Sequence, residues 1–321
     1  MALVTVVVLV TAAALGPATP GQATAAGGTG LAVGYDHDGH TRIFAVDLSA
    51  DGRITASSPV GSPVAPDAGL DLDDLRGSTA VGTAAEGISA YRKVVAVDAT
   101  TGVRHLVAHH ATSPVLSPNG KRVYFVTESG LAKPGKDLLA YASVGGGPRT
   151  VLLHPPAGRN FTQLAMGNDG HTLYAVAATP LQGATPADFA RIKPPAVYRI
   201  DLRHPSLVRV ALKSPLDGVD AVSMVVSPNG KQLALGINTT QGDDPVIEIV
   251  TPSTGAVHKI PRAEKLRNPT AWSPDGQWLE VTTEPGTRFE RARPVGATHV
   301  VLAGTPAGVT LQTILVRRAT A

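Results

Sequence analysis

The chain has 321 residues, 43% hydrophobic and only 4% aromatic, with 34 glycines and 26 prolines. That balance suits many short strands joined by tight turns around a core of Val, Leu, Ile and Ala, and the length does not demand a second domain. The formal charge of +3 comes without any block of like charges, which argues against a nucleic-acid footprint, and the absence of cysteine excludes disulfides, thiol nucleophiles, cysteine metal sites and lipoprotein anchoring.

In chain order, residues 2–15 form an apolar stretch too short to span a membrane comfortably. A Gly/Pro break and Ala23-Thr24-Ala25 follow, a small-residue pattern suited to cleavage before Ala26. No Lys or Arg precedes the stretch. A signal peptide over 1–25 is expected, with a membrane-anchor remnant as the alternative. Residues 31–35 then read as a strand, and 42–47 pairs with 53–57 across a turn containing Asp51-Gly52. Strands are expected over 78–85, 93–98 and 103–107, the last two joined by Ala99-Thr100-Thr101-Gly102. Further groups of strand-like runs cover 112–153, 161–212, 221–260 and 269–316.

Within these groups the string Ser-Pro-Asx-Gly recurs at residues 117–120, 227–230 and 273–276, with a worn copy at 167–170. Pro presets φ, Asn or Asp tolerates the tight conformation, and Gly supplies positive φ without strain. A tight turn recurring about every 45–60 residues between near-continuous apolar runs marks a radial array of small sheets. The expected fold is all-β, a single β-propeller over 31–316 with about six four-stranded blades. Its first blade is short of an innermost strand. Residues 309–316 are either the last outer strand or the clasp that closes the ring.

The unit of inner strand, Ser-Pro-Asx-Gly turn, second strand and a c–d hairpin ending in Thr-Gly or Gly-Gly resembles the TolB-type, WD-like propeller repeat of bacterial exported proteins. The resemblance implies a propeller and an extracytoplasmic location, secreted or in the cell envelope. That family includes periplasmic protein-interaction propellers and propellers that shield peptidase active sites. Its repeat residues are structural, so no catalytic position carries over.

In a meander whose strands run a to d from the inside outward, a–b and c–d turns share one face of the disc. The b–c and d–a loops share the other. The long connections, 128–137, 179–195, 238–245 and 284–296 between b and c and 154–160, 213–219 and 261–268 between d and a, all fall in the second set. Long loops on a rigid scaffold are where binding resides. The partner-contact candidates there are Arg191, Lys193, Arg262, Arg267, Arg288, Arg291 and Arg293. Lys133, Lys136, Arg159 and Lys265 add to them, and Asp188, Asp217, Asp243, Asp244, Glu264, Glu284 and Glu290 oppose them. Thr185-Pro186-Ala187-Asp188 reads as a helix start continuing through Ile192.

Other signatures do not complete a site. Asp36-His37-Asp38-Gly39-His40 has metal-ligand chemistry but reads as a polar hairpin, and His109, His110 and His154 lie in loops without ligand spacing. Residues 130–136 match a P-loop spacing, but Asp137 stands where Ser or Thr would hold magnesium and a strand follows. No Gly-x-Ser-x-Gly elbow occurs. Asp71-Leu72-Asp73-Asp74 reads as a solvated loop. The functional expectation is an exported, monomeric, non-enzymatic propeller that binds a protein or an anionic cell-envelope component, without cofactor or metal. The alternatives are an enzyme with its site at the central channel and the extracytoplasmic sensor domain of a membrane protein.

Overall fold

The Ser-Pro-Asx-Gly turns close on themselves as their chemistry dictates. Ser117 Oγ accepts the Arg122 N–H at 2.9 Å and donates to Asn119 Oδ1 at 2.8 Å. Gly120 N–H bonds back to the Ser117 carbonyl at φ +66. Ser227 with Asn229, and Ser273 with Asp275, repeat the arrangement. All three serines are buried, so they serve the turn. The computed structural model from which these contacts are taken describes residues 28–36, 38, 40–49, 54–64, 69–85, 91–129, 135–180, 192–238, 246–260, 266–273, 275–283, 289–295, 299–301 and 310–316. The expected signal peptide and the helix over 185–192 lie outside them, apart from Ile192.

The described strands form six four-stranded antiparallel sheets arranged as propeller blades. Blade 1 holds β1 (Gly28–Tyr35), β2 (Thr41–Leu48) and β3 (Ile54–Val64). Blade 2 is β4 (Asp71–Arg76), β5 (Thr79–Ala85), β6 (Arg92–Asp98) and β7 (Arg104–His109). Blade 3 is β8 (Ala111–Leu116), β9 (Arg122–Thr127), β10 (Leu139–Ser143) and β11 (Thr150–Leu153). Blade 4 is β12 (Asn160–Met166), β13 (Thr172–Ala178), β14 (Ala196–Asp201) and β15 (Leu207–Arg209). Blade 5 is β16 (Asp220–Val226), β17 (Leu233–Asn238), β18 (Val246–Thr251) and β19 (Ala256–Lys259). Blade 6 is β20 (Leu266–Trp272), β21 (Leu279–Thr283), β22 (Phe289–Ala292) and β23 (His299–Val301).

The missing inner strand of blade 1 is β24 (Thr310–Val316), which pairs antiparallel with β1 from Gly30↔Val316 to Tyr35↔Thr310. The C-terminal run is therefore the clasp, and blade 6 ends at β23. Strand exchange between the ends of the chain removes the two open edges a linear array would leave.

Each seam between blades has its own apolar cluster. Leu31 and Ile43 meet Leu70 and Val95 between blades 1 and 2, and Val81 and Val94 meet Leu116 and Phe125 between blades 2 and 3. Tyr124 and Leu139 meet Phe161 and Met166, and Val176 and Val197 meet Met224 and Leu235. Val225 and Ile249 meet Trp272 and Val281, and Ala271 meets Phe44 and Ile314 at the closure. Strands covered on both faces need no polar alternation, which is why the runs are continuously apolar. Burying one such side chain contributes about 1.5–3 kcal/mol.

Hydrogen bonds near the axis tie successive blades. Thr313 Oγ1 donates to Asp71 at 2.7 Å, the Leu116 N–H to Asp74 at 3.0 Å and Ser113 Oγ to the Thr162 carbonyl at 2.8 Å. Gln163 Nε2 donates to the Val222 carbonyl at 3.0 Å and Trp272 Nε1 to the Val225 carbonyl at 3.3 Å.

Candidate functional site: the central channel

Every innermost strand carries a β-bulge. The ladder gains one residue at Asp73 in β4, within Ser113-Pro114 in β8, at Thr162 in β12 and at Val222 in β16. It does so at Arg267 and Thr270 in β20 and at Gln312 in β24. A bulge bends its strand and re-aims a side chain, and bulges gather at barrel rims and beside sites. Here they ring the axis. Ser113 adopts φ +51, unusual for a non-glycine residue, and is held there by its bond to Thr162.

The strands enclose a central cavity of about 330 Å³, lined from all six blades. Its polar lining includes Asp71, Asp73, Arg92, Ser113, Gln163 and Asn268. Tyr35 and Arg92 stand at the b–c ends of their strands and Gly69 at the d–a end, so the wall rises to the long-loop face.

The three carboxyl groups of β4 have different surroundings. Asp74 is buried and accepts the Leu75 and Leu116 N–H groups, with Arg76 Nε at 3.5 Å. Asp71 accepts the Thr313 hydroxyl. Asp73, the bulge residue, keeps exposed surface that faces the channel, and its carboxyl has no hydrogen-bond partner among the described residues. Loss of bulk water around it, with the charge of Asp71 alongside, holds this carboxyl well above the usual range, and Arg92 pulls the other way. The Arg92 guanidinium donates to Thr83 Oγ1 at 3.3 Å. At the long-loop end of β16, burial pushes Asp220 up to about 6, opposed by the Thr162 hydroxyl and the Ala221 N–H.

A second concavity, about 1030 Å³, lies farther out on the same face around blade 4. Arg159, Lys193, Arg209, Tyr198 and several prolines line it. Arg159 is fixed there by bonds to the Ala177 and Pro194 carbonyls at 2.7 and 3.0 Å.

No protein-family model matches the sequence, and no curated protein matches it. Solved structures do match. TolB from Acinetobacter baumannii is similar at 15% identity and a TM-score of 0.63, over 91% of this chain and 67% of that one. A chain of a nidogen/laminin complex is similar at 12% identity and 0.63, over 90% and 98%. An oligogalacturonate lyase in complex with manganese is similar at 14% identity and 0.50, over 87% and 74%. The fold is that of a TolB-like β-propeller. Identities this low speak for fold alone.

In this TolB-like propeller the seven candidate cations do not form one patch. Arg191, Arg262 and Arg288 lie outside the described residues. Lys193 is exposed on the long-loop face, in the outer concavity. Arg267 is part of β20 rather than a loop. Two placements correct the loop assignment of 284–296. Arg291 lies within β22, buried, with Nε 2.7 Å from the equally buried Glu280. Arg293 follows β22 and so stands at the c–d connection, on the short-turn face, with its guanidinium 4.8 Å from the Trp278 ring centre. The misreading came from Phe289–Ala292, whose charged residues disguise a strand.

The channel carboxylates were read as a solvated loop because blade 2 lacks the Ser-Pro-Asx-Gly turn. Arg76-Gly77-Ser78 replaces it, with Gly77 at φ +54. Counting back one strand from 78–85 would have phased Asp71–Arg76 as an innermost strand.

Asp36, Asp38 and His40 do converge, with ligand atoms within 4.8 Å of one another. Arg42 Nε already bonds Asp36 at 2.6 Å and, with two backbone N–H groups, holds its carboxyl down at about 2. A cation there would compete with Arg42.

Proposed function

We propose that the protein is an extracytoplasmic, non-enzymatic binding propeller that takes a partner protein on its long-loop face, around the channel mouth. The observation that carries this reading is the channel, walled by all six blades and rising to the face with the long connections. The opposite face is built of minimal turns. The export-like pattern of residues 1–25 supports the location, as does the shared fold with TolB. The shared fold with a chain of a two-protein complex supports the binding role.

The cysteine-free chain permits a direct test. Lys193→Cys places a thiol on the long-loop face, and Lys231→Cys places one beside a short turn. With a cell-envelope extract and a short bifunctional cross-linker, a discrete adduct is expected from the first variant alone. Equal labelling of both would overturn the assignment.

A second reading is favoured by the outer concavity, where Arg159, Lys193 and Arg209 converge with no carboxylate among the described lining residues. There an anionic envelope polymer would bind by charge. Retention on polyglutamate, lost when Lys193 and Arg209 are both changed to Glu, supports it, and unchanged retention excludes it.

A further inference from the structure

We propose that the channel beside Asp73 is a recognition site for one organic cation, a primary ammonium or guanidinium on a short apolar stem. This deepens the partner-binding reading, since a lysine or arginine of a partner carries that group, but its test is separate.

The argument begins with an incomplete polar inventory. Buried or enclosed polar groups are nearly always paired, and an exception asks for its partner. Asp73 is placed in the channel by a bulge, so its position is built into the strand. Asp74 next to it is satisfied by two backbone N–H groups, and Asp71 by Thr313. Asp73 has no such bond among the described residues.

The charge balance of the lining points to the sign of the guest. Two carboxyl groups, Asp71 and Asp73, face a single lining cation, Arg92, whose guanidinium is engaged by Thr83. In a ring of six blades, β16 stands across the channel from β4. Its contribution, Val222, Ser223, Met224 and Val225, is uncharged and mostly apolar. A guest therefore meets anions on one side and methyl groups on the other. Calcium prefers six to eight oxygen ligands, which an apolar far wall does not supply. An alkyl ammonium or alkyl guanidinium satisfies both walls. The cavity of about 330 Å³ lies at the low end for small-molecule sites, enough for one side-chain-sized group.

Occupancy has a proton signature. In the empty channel, scarce solvent favours the neutral Asp73 carboxyl. When a permanent cation docks, the carboxylate becomes the favoured form. The O–H proton leaves to buffer while the cation and carboxylate pair, so charge and protons balance.

The test is calorimetry of the full chain at pH 7 with n-pentylguanidinium, and with neutral n-pentylurea as its isostere. Each titration is run in two buffers of different ionisation enthalpy. The expected result is one saturable site, about millimolar or tighter, for the guanidinium alone, with net proton release. Asp73→Asn should weaken it at least tenfold, whereas Asp201→Asn, at an exposed turn, should not. Asp73→Asn removes a poorly solvated acid and is expected to fold, and the guanidinium-to-urea comparison needs no variant. Equal binding of the urea, undiminished binding by Asp73→Asn, absence of proton release, or displacement of the guanidinium by micromolar calcium would each overturn the proposal. Cross-linking at Lys193→Cys that survives Asp73→Asn would leave the partner-binding reading standing without it.

Discussion

Replacing Arg291 with Met should destabilise the protein rather than strip a binding surface. The side chains of Arg291 and Glu280 are 4% and 1% exposed, and the Arg291 Nε to Glu280 Oε1 distance is 2.7 Å. Removing one member of a buried pair leaves the other charge without compensation, at a cost of about 3–5 kcal/mol. Against a typical stability of about 5–15 kcal/mol, that is a large fraction. Glu280 has one escape, which is protonation. Burial raises its carboxyl to about 7 while Arg291 opposes the rise, so losing Arg291 sends it higher. A carboxyl raised above its unfolded value of 4.5 contributes stability that is full below about 4.5 and lost as pH climbs through its folded value. In Arg291→Met this window extends upward, so the loss relative to the parent grows with pH. About 3–5 kcal/mol is expected at pH 8 and under about 2 kcal/mol at pH 5.5. Urea titrations followed by tryptophan fluorescence report on the right place, because Trp272 and Trp278 flank the same turn of blade 6. Pairing Arg291→Met with Glu280→Leu should recover most of the loss. A variant within about 0.5 kcal/mol of the parent at pH 8 would refute the reasoning.

Asp220 offers an independent pH test. Its carboxyl is raised from 3.8 to about 6, so folding holds that proton and the contribution is lost as pH rises from about 4 to about 6. Urea midpoints of Asp220→Asn should lack that slope, worth on the order of 3 kcal/mol. Leu315→Ala, in the clasp, should cost about 2–5 kcal/mol by thermal or urea denaturation, and an unaffected midpoint would argue against β24 as an inner strand. Gly102→Ala would bring Cβ within 2.8 Å of both Gly61 Cα and the Val60 carbonyl, at φ +71. A loss of about 2–4 kcal/mol is expected, with the urea midpoint as readout.

Local chemistry made much of the fold legible. A Ser-Pro-Asx-Gly turn is closed by atoms within six residues of one another, and the contacts around Ser117, Ser227 and Ser273 involve no distant group. Doubly covered strands announce themselves as apolar runs for an equally local reason. The site was less legible. Arg291 and Lys193 are both cations in charged neighbourhoods, yet one lies in a strand facing Glu280 and the other on the surface. Only pairing partners distant in sequence distinguish them.

By itself, then, the sequence determined the repeat, the all-β architecture and which face carries the long connections, because turn geometry and burial on both sides are written within single blades. The tertiary structure decided that the C-terminal run is the innermost strand of the first blade, and that Arg291 is a core ion pair while Arg293 faces away from the long loops. It alone turned Asp71-Leu72-Asp73-Asp74 from an unremarkable acidic stretch into a channel wall. Closing a ring brings together six strands about 50 residues apart in the chain, and the solvation of a carboxyl depends on what the other five place around it.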